Sequence, residues 1–148
     1  MVLNLDMAPT LLEIAGLPGS TEMQGKSMLP LAENTPQVEW RKDWLYEYYE
    51  YPGFENVRPC RGIRTQQYKL IHFFIDPQEY ELYDLQADPE EMNNLYGKSG
   101  SDEITAHLKR RLVELRSQTH DEYEYKPTGF PMHWNLGAQS ESELNRRK

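Results

Sequence analysis

Three arginines, Arg58, Arg61 and Arg64, fall within the short segment "RPCRGIR". A guanidinium is planar and presents a fork of N–H donors, so a cluster of them suits the oxygens of a sulfate, phosphate or carboxylate. The same residues would equally serve to pair with acidic neighbours or to solvate a strand edge, and spacing alone leaves both open. Cys60 sits between the first two, where flanking cations lower a thiol's pKa and raise its reactivity. Its other reading is a small buried residue at a strand start, since the local motif offers no base. His72, His107, His120 and His133 are scattered. His72 reads as a structural histidine among bulky strand neighbours, and His107 as part of the exposed side of a helix. The chain has no Ser/His/Asp constellation, no HExxH, no Walker loop and no glycine-rich nucleotide fingerprint. "DPEEMNN" lacks the glycine and the closing glutamate of an EF-hand, so turn-making accounts for it better than calcium. No catalytic residue and no metal ligand is assigned.

The background to these arginines is acidic: 16 Lys+Arg against 24 Asp+Glu give 148 residues a formal net charge of -8. That argues against a nucleic-acid partner, which calls for a basic stripe and a high pI, but a local cation cluster still works inside an acidic surface. No apolar run approaches the roughly 18–20 residues of a bilayer span, so no membrane partner is expected. No secretory leader is legible at the N-terminus. A single cysteine makes neither an intrachain disulfide nor a zinc site.

The elements that must position Arg58, Arg61 and Arg64 come next. "RGIRT" and "YKLIHFF" flank a Gln66-Gln67 turn and read as paired strands. "WLYEYYEY" before them is rich in the aromatics that half-buried strands favour, and "YELYDL" follows the Asp76-Pro77 break. Short strands joined by short polar links predict an antiparallel meander. Alternation puts Tyr68, Leu70, His72 and Phe74 on one face of the third strand, and Lys69, Ile71 and Phe73 on the other. "ADPEEMNNLYG" is a turn, with Asn93-Asn94 suited to side-chain to backbone bonding. "SDEITAHLKRRLVELRSQ" predicts the longest helix, capped by Ser101, with Asp102 and Glu103 in its first turn and basic residues later, as the macrodipole prefers. Ile104, Leu108, Leu112 and Leu115 form one apolar stripe to lie across the sheet. The tail beyond His120 is irregular.

The front end is different in kind. "MVLNLD" alternates like a strand yet has no partner strand nearby, and a strand that short does not hold itself. "DMAPTLLEIAGLPG" carries helix punctuation: Asp6 to cap free N–H groups, Pro9 in the first turn, Gly16 and Pro18 at the end. So short and so apolar a helix calls for a larger body to pack against. Residues 20–42 read as loop around the apolar knot "SMLPLA", with Gly25 marking a turn of positive φ.

In order, "NLDMAPTLLEIAGLP", "QGKSMLPL", "RGIRTQQYKLIHF", "YELYDLQADPEEMNNL" and the closing helix resemble the C-terminal part of a type I sulfatase, over about residues 3–118. The resemblance implies an α+β fold: a small four-stranded antiparallel sheet with a C-terminal amphipathic helix packed on it, preceded by a remnant strand and helix of a larger α/β domain of the alkaline-phosphatase-like kind. It divides the chain into residues 1–39 as the end of that domain with its connecting loop, 40–120 as the subdomain, and 121–148 as tail. It implies calcium and a formylglycine nucleophile for the complete enzyme, both held upstream in a missing N-terminal catalytic domain of the same polypeptide, and none in this chain. Cys60 is followed by Arg-Gly-Ile and departs from the formylglycine motif, and the family commonly has His at this position. A sulfated carbohydrate is the implied substrate, with Arg58 and Arg61 as the residues lending its cleft a basic edge. A periplasmic or secreted setting is implied for the complete enzyme. Two other readings stand beside this one: a free-standing module that binds sulfated glycans or serves assembly, and part of a related phosphoester or phosphonate hydrolase.

Overall fold

The computed structural model describes residues 1–51, 57–75 and 77–122. Four strands, β1 (Asp43–Tyr48), β2 (Cys60–Thr65), β3 (Tyr68–Phe73) and β4 (Glu79–Asp84), form one antiparallel sheet in sequence order. The meander follows from its links. Between β2 and β3 only Gln66 and Gln67 intervene, and Thr65 Oγ1 closes the turn by accepting from Tyr68 N at 2.8 Å while donating to Tyr68 O.

Helix α3 (Asp102–Gln118) lies across one face of this sheet. Leu108, Leu112 and Leu115 are buried against Ile63, Leu70 and Leu82, with Leu45, Tyr68 and Ile104 packed around them. The apolar stripe is therefore the predicted one, and its spacing of three and four residues is what lets one side of a helix follow the sheet. Arg111 ties the helix to β1: its Nε and Nη2 donate to Asp43 at 2.6 and 3.0 Å. Ser101 precedes the helix but does not cap it with its side chain; Oγ instead donates to Lys98 O at 2.7 Å, closing the turn before the helix. Asn94 finishes the sheet. It accepts from Leu82 N and donates to Tyr80 O, satisfying the outer edge of β4, where unpaired backbone groups would otherwise face solvent.

The front end departs from expectation in detail. Leu3 is extended, but Asn4–Asp6 form a 3-10 turn and no strand is present over residues 1–6. The helix α1 (Met7–Ile14) ends as its glycine predicts: Gly16 has φ 66°, with Leu17 N bonded to Leu12 O and Gly16 N to Glu13 O, the paired bonds of a left-handed C-terminus. A short helix α2 (Leu29–Ala32) replaces the expected loop, with Pro30 in its first turn. Gly25 does not take positive φ. It is needed for closeness: a Cβ there would lie 2.0 Å from Leu5 O.

Asp6 is the organiser of this region, and not as the helix cap that its position suggests. It is fully buried and makes no capping bond to α1. Its carboxylate accepts from Leu3 N at 2.7 Å, from Lys26 N at 2.9 Å, and from both Nη atoms of Arg41, Nη2 at 2.7 Å. Burial alone would raise its pKa. The Arg41 fork and the two amides outweigh that and hold it at about 2. Outside this node, Val2, Met7, Leu11, Ile14 and Leu17 are all more than half exposed, so the apolar side of α1 stays open to solvent. No described helix is long and apolar enough to cross a membrane.

Candidate functional site

Strand β2 carries two of the three arginines, and its pleat decides what they can do together. Side chains alternate across a sheet, so positions three apart point to opposite faces. Arg61 lies on the α3 side; Arg64 lies on the other, level with Trp44 of β1 and Lys69 of β3. Arg58 precedes the strand. The three guanidiniums that look like one cluster in the sequence therefore do not converge on a single ligand.

Arg58 donates through Nη1 to Pro77 O at 3.0 Å and through Nη2 to Glu79, and its guanidinium lies 4.8 Å from the Phe73 ring centre. Its side chain keeps 29% of its surface exposed. Arg61 is buried. Its Nε lies 2.9 Å from Tyr49 Oη, 3.0 Å from Asp121 Oδ2 and 3.6 Å from Glu47 Oε1, and the guanidinium sits 4.6 Å from the Phe74 ring centre. Asp121 is also held by Arg116, whose Nε donates to it at 2.5 Å. Burial would raise the Asp121 pKa, but the Arg116 bond and the charges of Arg61 and Arg116 bring it below the usual value. Tyr49 is pushed the other way, first by burial and then by Glu47, to which its hydroxyl donates. Arg64 is half-buried and has no ion pair or side-chain hydrogen bond among the described residues.

Cys60 is 2% exposed and belongs to a second small core with Ile71 and Tyr83 on the side away from α3. Burial pushes its thiol up, against smaller downward effects from Tyr46 and Lys69. Of the two readings of Cys60, the small buried residue at a strand start is the one observed, and Arg61 points to the opposite face. His72 is structural in its packing: its ring stacks on Tyr80 at 4.1 Å and 3°, and Nε2 meets Gln78 Oε1 at 3.2 Å. Burial, together with the charges of Lys109, Arg61 and Arg116, lowers its pKa against the opposing Gln78 bond. Tyr80 stacks in turn on Tyr96 at 5.0 Å, and Lys109 Nζ caps Tyr80 at 3.7 Å. His107 and His120 are exposed, and His133 lies outside the described residues.

A shallow hollow of about 630 Å³ opens at the β4 edge between Glu79, Glu81, Asn94 and Tyr96. Its lining holds two carboxylates, of which Glu79 is paired with Arg58, and no cation of its own, so it does not suit a sulfate. Among the described residues no group of three or more His, Cys, Asp or Glu side chains is placed to hold a metal ion. Asp6, the most buried carboxylate, has both oxygens committed to Arg41 and to backbone amides. These residues do not fit calcium, and buried Cys60 does not fit formylglycine, so no chemical step is derived through either. The sequence pointed to Arg58 and Arg61; Asp6–Arg41 and the Trp44–Arg64–Lys69 row went unread. The signal for the latter was present in the alternation of β2 itself.

Residues 1–118 match the family model described as N-sulphoglucosamine sulphohydrolase, C-terminal. An N-acetylglucosamine-6-O-sulfatase of Bacteroides thetaiotaomicron is 44% identical over 125 residues, covering 82% of this chain and 22% of that protein. The N-acetylglucosamine-6-sulfatase of Bos taurus is 30% identical over 146 residues, covering 79% of this chain and 26% of its own length. A solved structure of a protein in complex with its substrate, D-glucosamine-2-N,6-O-disulfate, superposes with a TM-score of 0.74 at 45% identity, over 79% of this chain and 24% of that one. The chain thus spans about a quarter of the length of the relatives it matches.

Proposed function

This chain belongs to the N-sulphoglucosamine sulphohydrolase C-terminal family, and we propose on that footing that it serves as the C-terminal subdomain of a sulfatase acting on 6-sulfated glucosamine units. The match of residues 1–118 to that family, with the sheet and α3 in the matched region, is the observation that carries the reading. Two features support a subdomain role. The described residues offer neither a metal cluster nor a reactive thiol, and the apolar side of α1 is open, as a surface made to rest on a larger body would be. The nucleophile and its cation then belong to a catalytic domain ahead of this segment in the same polypeptide.

Within that reading Arg58 and Arg61 form a basic edge toward the sulfated sugar. Arg58 keeps 29% of its side chain exposed and makes the contact from that edge, while tied to Pro77 O and Glu79. Arg61, locked among Asp121, Glu47 and Tyr49, holds the Tyr49 and Phe74 rings on the α3 side. The decisive experiment assays sulfate release from N-acetylglucosamine 6-sulfate by the 148-residue chain and by the coding sequence extended upstream of Met1. The expected result is no release by the chain and release by the extended protein, which carries an in-frame Cys- or Ser-x-Pro/Ala-Ser-Arg motif. Turnover by the chain alone, or a stop codon in place of that motif, overturns the proposal. In the extended enzyme, Arg58→Ala raises KM for the sulfated sugar more than for a small aryl sulfate; equal effects remove the basic edge.

A further inference from the structure

On the side of the sheet turned away from α3, one row across the strands reads Trp44 on β1, Arg64 on β2 and Lys69 on β3. Like charges directly opposite each other in a strand pair repel. Lys69 is relieved by Glu91, its Nζ lying 2.5 Å from Oε2. Arg64 is not relieved: the chain holds 24 carboxylates, and no described one pairs with it. Arg64 is half-buried as a residue, and no described group pairs with its guanidinium. An anion with several oxygens supplies that partner, and the planar fork of Arg64 suits such a ligand better than an ammonium would. Trp44 supplies the second half of a recognition surface. Its indole is half-buried, set edge-on to Tyr46 at 6.1 Å and 88°, which fixes the ring and leaves an apolar plate beside the cation. A flat apolar plate next to a free guanidinium matches a molecule with an apolar ring face and an anionic substituent. Gly62 keeps the neighbouring row flat, with the Tyr46 ring lying 3.4 Å from where a Cβ would be.

We propose that Trp44, Arg64 and Lys69 form a binding site for one sulfated sugar unit, with Arg64 forking onto the sulfate and Trp44 stacking against the sugar ring. The choice of sulfate over other anions rests on the sulfated-sugar function proposed above; the cation and the aromatic plate rest on the geometry. The test titrates N-acetylglucosamine 6-sulfate, N-acetylglucosamine and inorganic sulfate into the 148-residue chain by calorimetry and amide NMR. The sulfated sugar is expected to bind more tightly than either of its parts, with shifts centred on β1 and β2 around residues 44 and 64. Arg64→Gln weakens it tenfold or more, and Arg64→Lys, which keeps the charge without the fork, falls between. Trp44→Ala weakens the sulfated sugar but leaves inorganic sulfate unchanged. Thermal melts of each variant separate lost binding from lost folding. No saturable binding by the wild type, equal affinity for sulfated and unsulfated sugar, or an Arg64→Gln variant that is folded and binds normally each overturns the site. Those results leave sulfate release by the extended enzyme untouched, whereas failure of that release with normal binding here overturns the function and keeps the site.

Discussion

On the α3 side of the sheet, Arg61 is closed in by Asp121, Glu47 and the rings of Tyr49 and Phe74. Three residues along the same strand, on the opposite side, Arg64 stands level with Lys69 and meets no described carboxylate. The difference follows from the pleat. One face was given a helix, and the Arg61 charge beneath it is matched inside the chain, because a buried unpaired charge is costly. The other face has its own small core at Cys60, Ile71 and Tyr83, but at its Trp44 end a cation is left to be met from outside. Proximity in sequence is therefore a poor guide to shared function on a strand. Even spacings share a face and odd ones do not.

The sharpest way to break this comparison is Arg61→Met. It takes one of two cations from Asp121, which keeps Arg116, and removes the cation beside the partly exposed Glu47. The loss, read from urea midpoints, is expected at about 2–3 kcal/mol, below the about 3–5 kcal/mol of a buried pair broken outright. The pH dependence has a definite sign. Asp121 is held below its unfolded value, so its contribution is present above that value, about 3.9, and is lost as pH falls through the folded pKa. The deficit of Arg61→Met is accordingly larger at pH 7 than at pH 3. A cost at pH 7 no greater than that of a surface substitution would show the α3 face to be no better matched than the other.

Asp6→Asn extends the same logic to the front end. Asp6 is buried, with a pKa of about 2. A downward shift of this size corresponds to about 2 kcal/mol at neutral pH. That contribution is present above about pH 4, where the unfolded group is ionised, and is lost as pH falls toward the folded value. Limited proteolysis of residues 1–42 at pH 7 reads it directly: the variant is cut faster, and the difference from wild type narrows in acid.

What the sequence made legible was what neighbours along the chain determine. Alternation in "YKLIHFF" correctly sent Leu70 to the α3 core and Ile71 to the other side. The Ile104–Leu115 stripe and the Gly16 terminus were equally local. Some misses are local, as at Ser101, which bonds Lys98 instead of capping α3; the others are long-range. Asp6 and Arg41 are 35 residues apart, so a cap was the natural reading of Asp6. Gly25 is required by the approach of Leu5, not by its own φ. Asn94 reads as a turn residue, and it does bond Tyr96 N, yet it also seals β4 from twelve residues away. For the site, the arginines were legible as residues but not as faces, since that needs the register of the sheet.

Gly62→Ala probes the open face from beneath. A Cβ would lie 2.5 Å from Leu70 O, a backbone atom in the adjacent strand, so β2 and β3 must part slightly. Overpacking of this kind costs about 1–2 kcal/mol, and thermal melts should place it below Arg61→Met. Because the strain falls in the row next to Arg64, binding of the sulfated sugar should weaken along with stability.

Arg64→Gln carries the smallest stability effect and the most direct test of the contrast. If Arg64 has no partner within the chain, its removal breaks no ion pair and stays within about 0.5 kcal/mol of wild type. The sign favours the variant, because the like-charge opposition to Lys69 disappears. That opposition lies on a half-exposed face, so salt screens it. Raising ionic strength should then stabilise the wild type relative to Arg64→Gln and close the gap between them. A loss of stability comparable to that of Arg61→Met would mean that the chain already satisfies Arg64, and the two faces of the sheet would no longer differ in the way argued here.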